Sequence, residues 1–417
     1  MEKYMSATKP AGSDKYPKTI CMLPWMSIAA NTTGTVRPCC VNESLIRRPD
    51  DTPYNLATDG IMEIYHSQWM KDFRQQFIDG KKPNSCRRCW NEEAVGKTSK
   101  RLNHMTVKQP MVVPLLNFNT LEPKHFLYLD LKLGSICNLK CRICGPAVSS
   151  KWAQESLMQL PYEERKTHQH KTWLVEGEWP RTSETFWQEV HTLMPKIKFL
   201  DFTGGEPFLI KEHFDLLKHS VDSGTSKYQH LFYNTNGTVF PEGAEELWKH
   251  FKRVEIAFSV DSLGRQFELE RSGATWEEVD SNIQKFREMR DRLPHIELQV
   301  SATVSTLNVY YLESLCEWIS RQEFNYEHFG LVHFPEYLSI SVMPQYAKDA
   351  VTAKLQSGKF NDKHQPEINK IIHFMNNDMP SEGKQFRSKM KELDRIRNES
   401  FAETHPEMAE IIKYDAT

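Results

Sequence analysis

From about residue 125 to 345 short β-like runs alternate with helical patterns. The runs Phe126–Leu133, Lys198–Thr203, His230–Tyr233, Arg253–Val260, His295–Val304 and Tyr326–Phe334 predict strands. Between them, helices are predicted over Cys144–Met158, Lys211–Ser223, Glu242–Phe251, Thr275–Arg292 and Leu307–Arg321. Strands that take turns with helices argue for an α/β fold with a parallel sheet. Six strands with crossover helices suggest a partial (β/α)6 TIM-type barrel, and a doubly wound open sheet would give the same pattern. The stretch Leu160–Trp187 is long, polar and rich in Trp and His. It reads as an insertion, either a solvated loop or a lid.

The flanks differ from this centre. Residues 1–105 are rich in cysteine and turn residues and hold one amphipathic helix near Ile61–Phe77. Residues 106–125 form a linker punctuated by Pro110, Pro114 and Pro123, and 126–345 make the barrel. Residues 346–417 are helical and charged, most strongly over Lys384–Arg397. They read as a solvated helical cap, with a partner surface as the alternative.

Composition narrows the function classes. The 417 residues carry 53 basic and 55 acidic side chains, so no global charge favours nucleic acid or a membrane surface. No apolar run approaches the roughly 18–20 residues that span a bilayer. The polar N-terminal stretch lacks the apolar core of a signal peptide, and a reducing, cytoplasmic location is expected. There, clusters among the nine cysteines point to metal or redox chemistry rather than disulfides. Cys316 stands apart on an amphipathic helix pattern and reads as a small core residue.

Cys137, Cys141 and Cys144 follow the first strand at C-x3-C-x2-C spacing. Ligand chemistry in βα folds gathers beyond the carboxyl ends of strands. Three soft thiolates can hold three irons of a [4Fe–4S] cube and leave the fourth iron open, whereas closed thiolate sites usually carry four cysteines. A zinc site is the alternative. The second strand ends in Asp201-Phe-Thr-Gly204-Gly205-Glu206-Pro207, where paired glycines admit a ligand close to the backbone and Glu206 suits an ammonium group. The third ends in Asn234-Thr-Asn236-Gly237, which is also the composition of a simple Asn-Gly turn. Ser259 and Arg271 flank the fourth strand's end, and an arginine fork suits a carboxylate. Val304 closes the fifth strand and reads as barrel core. His328 and His333 near the sixth strand read as rim or core histidines.

Taken in order over residues 126–335, these elements resemble the radical S-adenosylmethionine (radical SAM) enzymes. The resemblance implies that Cys137, Cys141 and Cys144 bind the catalytic [4Fe–4S] cluster. It assigns Gly204, Gly205, Glu206 and Pro207 to the methionyl amine of SAM and places Asn236 in the family's TNG element. Ser259 and Arg271 then take the SAM carboxylate, and Val304 contacts adenine. The residue before the third cysteine, commonly aromatic in the family, is Ile143 here. The implied chemistry is reductive cleavage of SAM to a 5′-deoxyadenosyl radical that abstracts hydrogen, with an electron donor of flavodoxin or ferredoxin type as partner.

Cys21, Cys39, Cys86 and Cys89 make a complete four-thiolate set, for which structural zinc is a competitor on ligand type alone. Their order, C…G-x4-C…C-x2-C, resembles the twitch or SPASM auxiliary-cluster module, with Cys40 a neighbour rather than a ligand. That module normally follows the barrel; here it precedes it. Its presence implies a second [4Fe–4S] cluster and favours a peptide or protein substrate. A nucleoside or small metabolite is the second enzyme reading, and a non-catalytic metal-binding protein on a degenerate barrel is the third.

Overall fold

The six expected strands form as β3 (Tyr128–Lys132), β4 (Phe199–Thr203), β5 (His230–Thr235), β6 (Arg253–Phe258), β7 (Ile296–Val304) and β8 (Tyr326–Leu331). Two more precede them, β1 (Ser27–Ala30) and β2 (Val36–Arg37). The computed structural model describes residues 16–94, 96, 98–108, 110–377, 381 and 383–415. The first fifteen residues of the polar N-terminal stretch lie outside these.

The chain divides into two compact units, Met1–Ile136 with Ser156–Tyr233 and Gly243–Arg253, and Cys137–Glu155 with Asn234–Glu242 and Val254–Thr417. In the first, β1 pairs antiparallel with β2 and parallel with β3, and β3, β4 and β5 follow in parallel. The register sets Tyr128 beside Phe199 and Asp130 beside Asp201. In the second, β6, β7 and β8 are parallel, with Val304 beside Leu331. The six barrel strands keep chain order in both runs, β3 to β5 and β6 to β8, while β2 is an antiparallel edge on the far side of β1 from β3. The fold is α/β, with the sequential parallel strands and following helices of a partial (β/α)6 barrel.

Local signals explain the elements. On β4, Leu200 and Phe202 are buried while Phe199, Asp201 and Thr203 are half-buried, the alternation of a strand with one apolar and one polar face. The helix Trp276–Arg292 begins at Thr275, whose side chain accepts from Glu278 N at 3.3 Å. Acidic residues fill its first turn and Arg290 and Arg292 its last, matching the helix dipole. Cys316 is buried in the helix Leu312–Gln322, a core position as expected.

The N-terminal region is organised around Trp25 and Arg74. Trp25 is fully buried, edge-on to Phe77 and Phe118, with Nε1 donating to Thr120 O at 2.8 Å. The single helix expected over Ile61–Phe77 is two, Ile61–Tyr65 and Gln68–Ile78, because Ser67 caps the second and breaks the first. Arg74 is buried on that second helix and donates to Pro24 O, Leu121 O and Tyr65 O at 2.8, 2.9 and 2.8 Å.

Residues 160–187 are helical rather than a loop, and solvated over 161–176 as expected. They form helices Tyr162–Arg165, Gln169–Glu176 and Trp179–Thr182 and enter a fourth, Glu184–Leu193. Burial begins only at its end: Trp179 is buried, and Phe186, Val190 and Leu193 form the apolar face of the helix that follows. Glu189 accepts from Ile61 N and Met62 N at 2.6 and 3.0 Å, capping the helix that starts there.

Just after β4, His213 is buried against Phe202 and Tyr233. Its Nδ1 donates to Ile210 O at 2.6 Å and Nε2 has no partner. Burial lowers its pKa from 6.5 to about 3. The neutral ring therefore stabilises the fold above the unfolded value of 6.5, and that contribution drains away as pH falls toward 3. In this window the loss is about 1.4 kcal/mol per pH unit. Denaturant midpoints at pH 7 and pH 5 should differ accordingly, and His213→Gln, which does not titrate, should flatten the difference.

Candidate functional site

Cys137, Cys141 and Cys144 lie on one loop of the second unit. The loop is tied by its own side chains. Ser149 Oγ donates to Leu139 O at 2.6 Å, and Trp152 Nε1 to Cys141 O at 3.2 Å. Cys144 N bonds Cys141 O at 3.0 Å, closing the C-x2-C turn. The Cys141 and Cys144 sulfurs are hydrogen-bonded partners. That bond, with Arg271 close by, brings the Cys141 thiol down to about 7 and, with burial, holds Cys144 well above its ordinary value.

The other elements of this unit converge on the loop. Asn236 Nδ2 donates to Asn138 Oδ1 at 3.0 Å and sits 4.0 Å from Cys137 Sγ. Asn138 returns a bond to Thr238 Oγ1 at 2.8 Å, so the Asn236-Gly237 turn fixes the residue after the first cysteine. Arg271 is 6% exposed; Nη1 lies 3.8 Å from Cys141 Sγ and Nη2 2.6 Å from Asp261 Oδ2. Its Nε is buried without a partner. Ser259 Oγ donates to Asn234 Oδ1 at 3.2 Å, and Val304 is fully buried in the strand register. Of the two late histidines, His333 lies edge-on to Phe374 and His328 is exposed on β8.

The Gly204-Gly205-Glu206-Pro207 turn belongs to the first unit, against the three residues that lead into Cys137. Gly205 N bonds Gly134 O at 3.1 Å and Glu206 N bonds Ile136 O at 2.8 Å. A Cβ on Gly205 would meet Ile136 O at 2.1 Å, and Gly204 has φ +125°, so both positions need glycine. Glu206 is buried, and its Oε1 accepts from Phe208 N at 3.1 Å, capping the short 3-10 turn Pro207–Leu209. Its carboxylate is therefore not at an exposed edge.

Cys21, Cys39, Cys86 and Cys89 line one cavity with Asn42, Trp90, Lys100 and Arg101. Burial raises all four thiols, Cys86 to about 12. A zinc ion would need its ligands at about 2.3 Å from one point. Among the described residues no three His, Cys, Asp or Glu side chains converge in that way. Cys40 turns elsewhere: Lys100 Nζ donates to its sulfur at 2.8 Å and to Asp130 Oδ2 at 3.1 Å. Tyr128 OH donates to Asp201 Oδ2 at 2.5 Å beside it. Burial works against the Lys100 ammonium, but Cys40, Tyr128, Asp130 and Asp201 outweigh it and raise its pKa. Lys100 was not legible as a functional residue, since an isolated lysine in a polar stretch carries no spacing signal.

Residues 131–296 match the radical SAM superfamily model, and residues 21–90 match that of the SPASM iron–sulfur cluster-binding domain. Residues 131–296 are a radical SAM domain. Its SPASM domain precedes the radical SAM domain, the inverted order expected from the cysteines. Among solved structures it is similar to native anSMEcpe with bound AdoMet and Cp18Cys peptide, at 13% identity over 55% of this chain and 58% of that one, TM-score 0.33. It is also similar to native anSMEcpe with bound AdoMet, at 15% identity over 66% and 67%, TM-score 0.35. A third is Streptococcus suis SuiB bound to S-adenosylmethionine, at 12% identity over 83% and 72%, TM-score 0.34. The chain spans about 58% of the first of these. None of the curated proteins compared matches it.

A radical SAM domain implies a [4Fe–4S] cluster and SAM, and a SPASM domain implies auxiliary iron–sulfur chemistry. The residues fit both. Three thiols on one loop, one of them lowered to about 7, suit a cube with an open iron. Four thiols around a cavity suit a closed one. No helix among the described residues is long and apolar enough to cross a membrane.

Proposed function

We propose that this radical SAM protein reductively cleaves SAM and uses the radical to modify a peptide or protein. When bound, the cluster and SAM supply one-electron cleavage of the sulfonium C–S bond and a 5′-deoxyadenosyl radical for hydrogen abstraction. The observation that carries the reading is the placing of Cys137, Cys141 and Cys144 on one short loop, with the Cys141 sulfur 3.8 Å from Arg271, whose buried Nε lacks a partner. That N–H is a donor for the SAM carboxylate, while Asp261 and Cys141 hold the rest of the guanidinium in place. Asn236 holds the side chain of Asn138, the residue after Cys137. Gly204, Gly205, Glu206 and Pro207 would take the SAM ammonium, as expected of that turn. Ser259 and Val304 would take the positions expected of them, beside the carboxylate and adenine. The SPASM domain at residues 21–90 supports a polypeptide substrate.

Anaerobic reconstitution followed by dithionite and SAM should give 5′-deoxyadenosine and methionine by liquid chromatography–mass spectrometry. Full cluster loading with neither product would overturn the enzyme reading. Iron and sulfide should amount to two cubes per chain; one cube with zinc would replace the auxiliary cluster by a structural ion.

A further inference from the structure

The charged C-terminal helix Lys384–Arg397 reads from sequence as a solvated cap, yet its end is built into the cluster loop. Arg142 stands between Cys141 and Cys144, and its side chain has no exposed surface. Its Nη2 pairs with Asp394 Oδ1 at 2.5 Å and Glu399 Oε2 at 2.7 Å, and Nη1 reaches Met390 Sδ at 3.3 Å. Arg397, 1% exposed at its side chain, works on the other side of the same loop. Its Nη1 donates to Lys140 O at 2.7 Å and to Ser272 Oγ at 3.1 Å, and Nε and Nη2 grip Glu155 Oε2 at 3.0 and 2.8 Å.

Arg142 itself lies between two of the cysteines, and two of the Arg397 contacts land on neighbours of site residues. Lys140 precedes Cys141, and Ser272 follows Arg271. Lys140 N also bonds Ser272 O at 2.9 Å, and Arg142 N bonds Glu270 O at 2.7 Å, so the cysteine loop and the Arg271 loop are zipped together under the two arginines. The chain turns sharply at Asn398, whose φ of 52° lets Glu399 swing back to Arg142. Asp394 is held in turn by Phe401 N at 2.9 Å and Tyr414 OH at 2.8 Å.

We infer that Arg142 and Arg397, held by Asp394, Glu399 and Glu155, are positioning residues that clamp the cluster loop against the Arg271 loop, making the C-terminal helix part of the SAM-cluster site. Buried, doubly paired guanidiniums fix direction as well as distance, which a three-cysteine loop without a fourth ligand needs to keep its open iron aimed at SAM. The inference rests on the proposed assignment of Cys137, Cys141 and Cys144 to that cluster. The full-length chain provides its own control, because the four thiols of the auxiliary site make none of these contacts.

The test uses reconstituted full-length protein with Arg397→Gln, Arg397→Lys and the milder Arg142→Lys. Two quantities are read anaerobically: the rate at which an iron chelator strips each cluster, and the change that SAM produces in the electron paramagnetic resonance spectrum of the reduced barrel cluster. Outer-shell losses around metal sites typically cost 10–100-fold in affinity. Arg397→Gln should therefore lose the barrel cluster about 10-fold faster, with a diminished SAM-induced spectral change and an auxiliary cluster as stable as in the unaltered chain. Arg397→Lys, which keeps the charge, should recover part of both readouts, and Arg142→Lys should fall between. Wild-type stripping rates and an intact SAM response in Arg397→Gln would overturn the clamp, as would parallel loss of both clusters, which marks general unfolding. If instead the unaltered chain binds no more iron than Cys137→Ala, the cluster assignment itself is what fails.

Discussion

Cys141→Ala is expected to reduce 5′-deoxyadenosine formation to background while one of two cubes per chain remains. The reason is ligand arithmetic. The barrel loop offers three thiolates, the minimum that leaves one iron open, so the loss of one leaves two irons without protein ligands. Cys141 is also the thiol facing Arg271 Nη1 at 3.8 Å, and its removal leaves that cation with Asp261 alone. The auxiliary thiols Cys21, Cys39, Cys86 and Cys89 line a separate cavity in the first unit and should keep their iron. Iron and sulfide analysis together with SAM cleavage decides the matter. Retained turnover would show that Cys141 is not a ligand, and loss of all iron would make the loop a folding element.

Arg74→Leu should give the largest loss of stability of any single change outside the cluster ligands, about 3–5 kcal/mol. Three carbonyls, Pro24 O, Leu121 O and Tyr65 O, lose their donor at once in a buried setting. An unmet buried hydrogen-bonding group costs about 1–3 kcal/mol, so three together reach this range even after some relaxation. Burial already draws the Arg74 pKa down to about 10, so the charge is held against its own desolvation for the sake of those three bonds. Arg74→Lys keeps a cation but has no planar fork to serve three separated carbonyls, and should recover less than half of the loss. Denaturant unfolding followed by tryptophan fluorescence reports it directly, since Trp25 lies in this core. A shift under about 1 kcal/mol would mean that the carbonyls find other donors.

The barrel strands and their order were legible because each is a short apolar run between helical patterns, a signal local to the run. Cys137, Cys141 and Cys144 share one loop as their spacing suggests, and Cys21, Cys39, Cys86 and Cys89 share one cavity. The strand pairing of β1 with β3 was not legible: Ser27–Ala30 is too short to announce itself, and it is stabilised by Tyr128–Asp130 about a hundred residues later. The helices of 160–193 were obscured by polar residues on their outer faces, although Trp179 and Phe186 carry the packing. Lys384–Arg397 reads as solvated because charge is its most visible property; Asp394 and Arg397 point inward only because Arg142, Lys140 and Glu155 wait there. Arg271 is also anchored to Asp261, a neighbour that follows Ser259 and Val260 in plain view but whose role depends on the fold.

The pairing of β1 with β3 also sets a timetable. All four auxiliary thiols, from Cys21 to Cys89, are synthesised before Tyr128–Lys132. Until β3 is synthesised, β1 has only the two-residue β2 beside it, too little sheet to hold its shape. The nascent chain therefore displays a full set of soft ligands before it has the frame that spaces them. Iron and sulfide would meet these thiols at their final spacing only once β3 is in place beside β1.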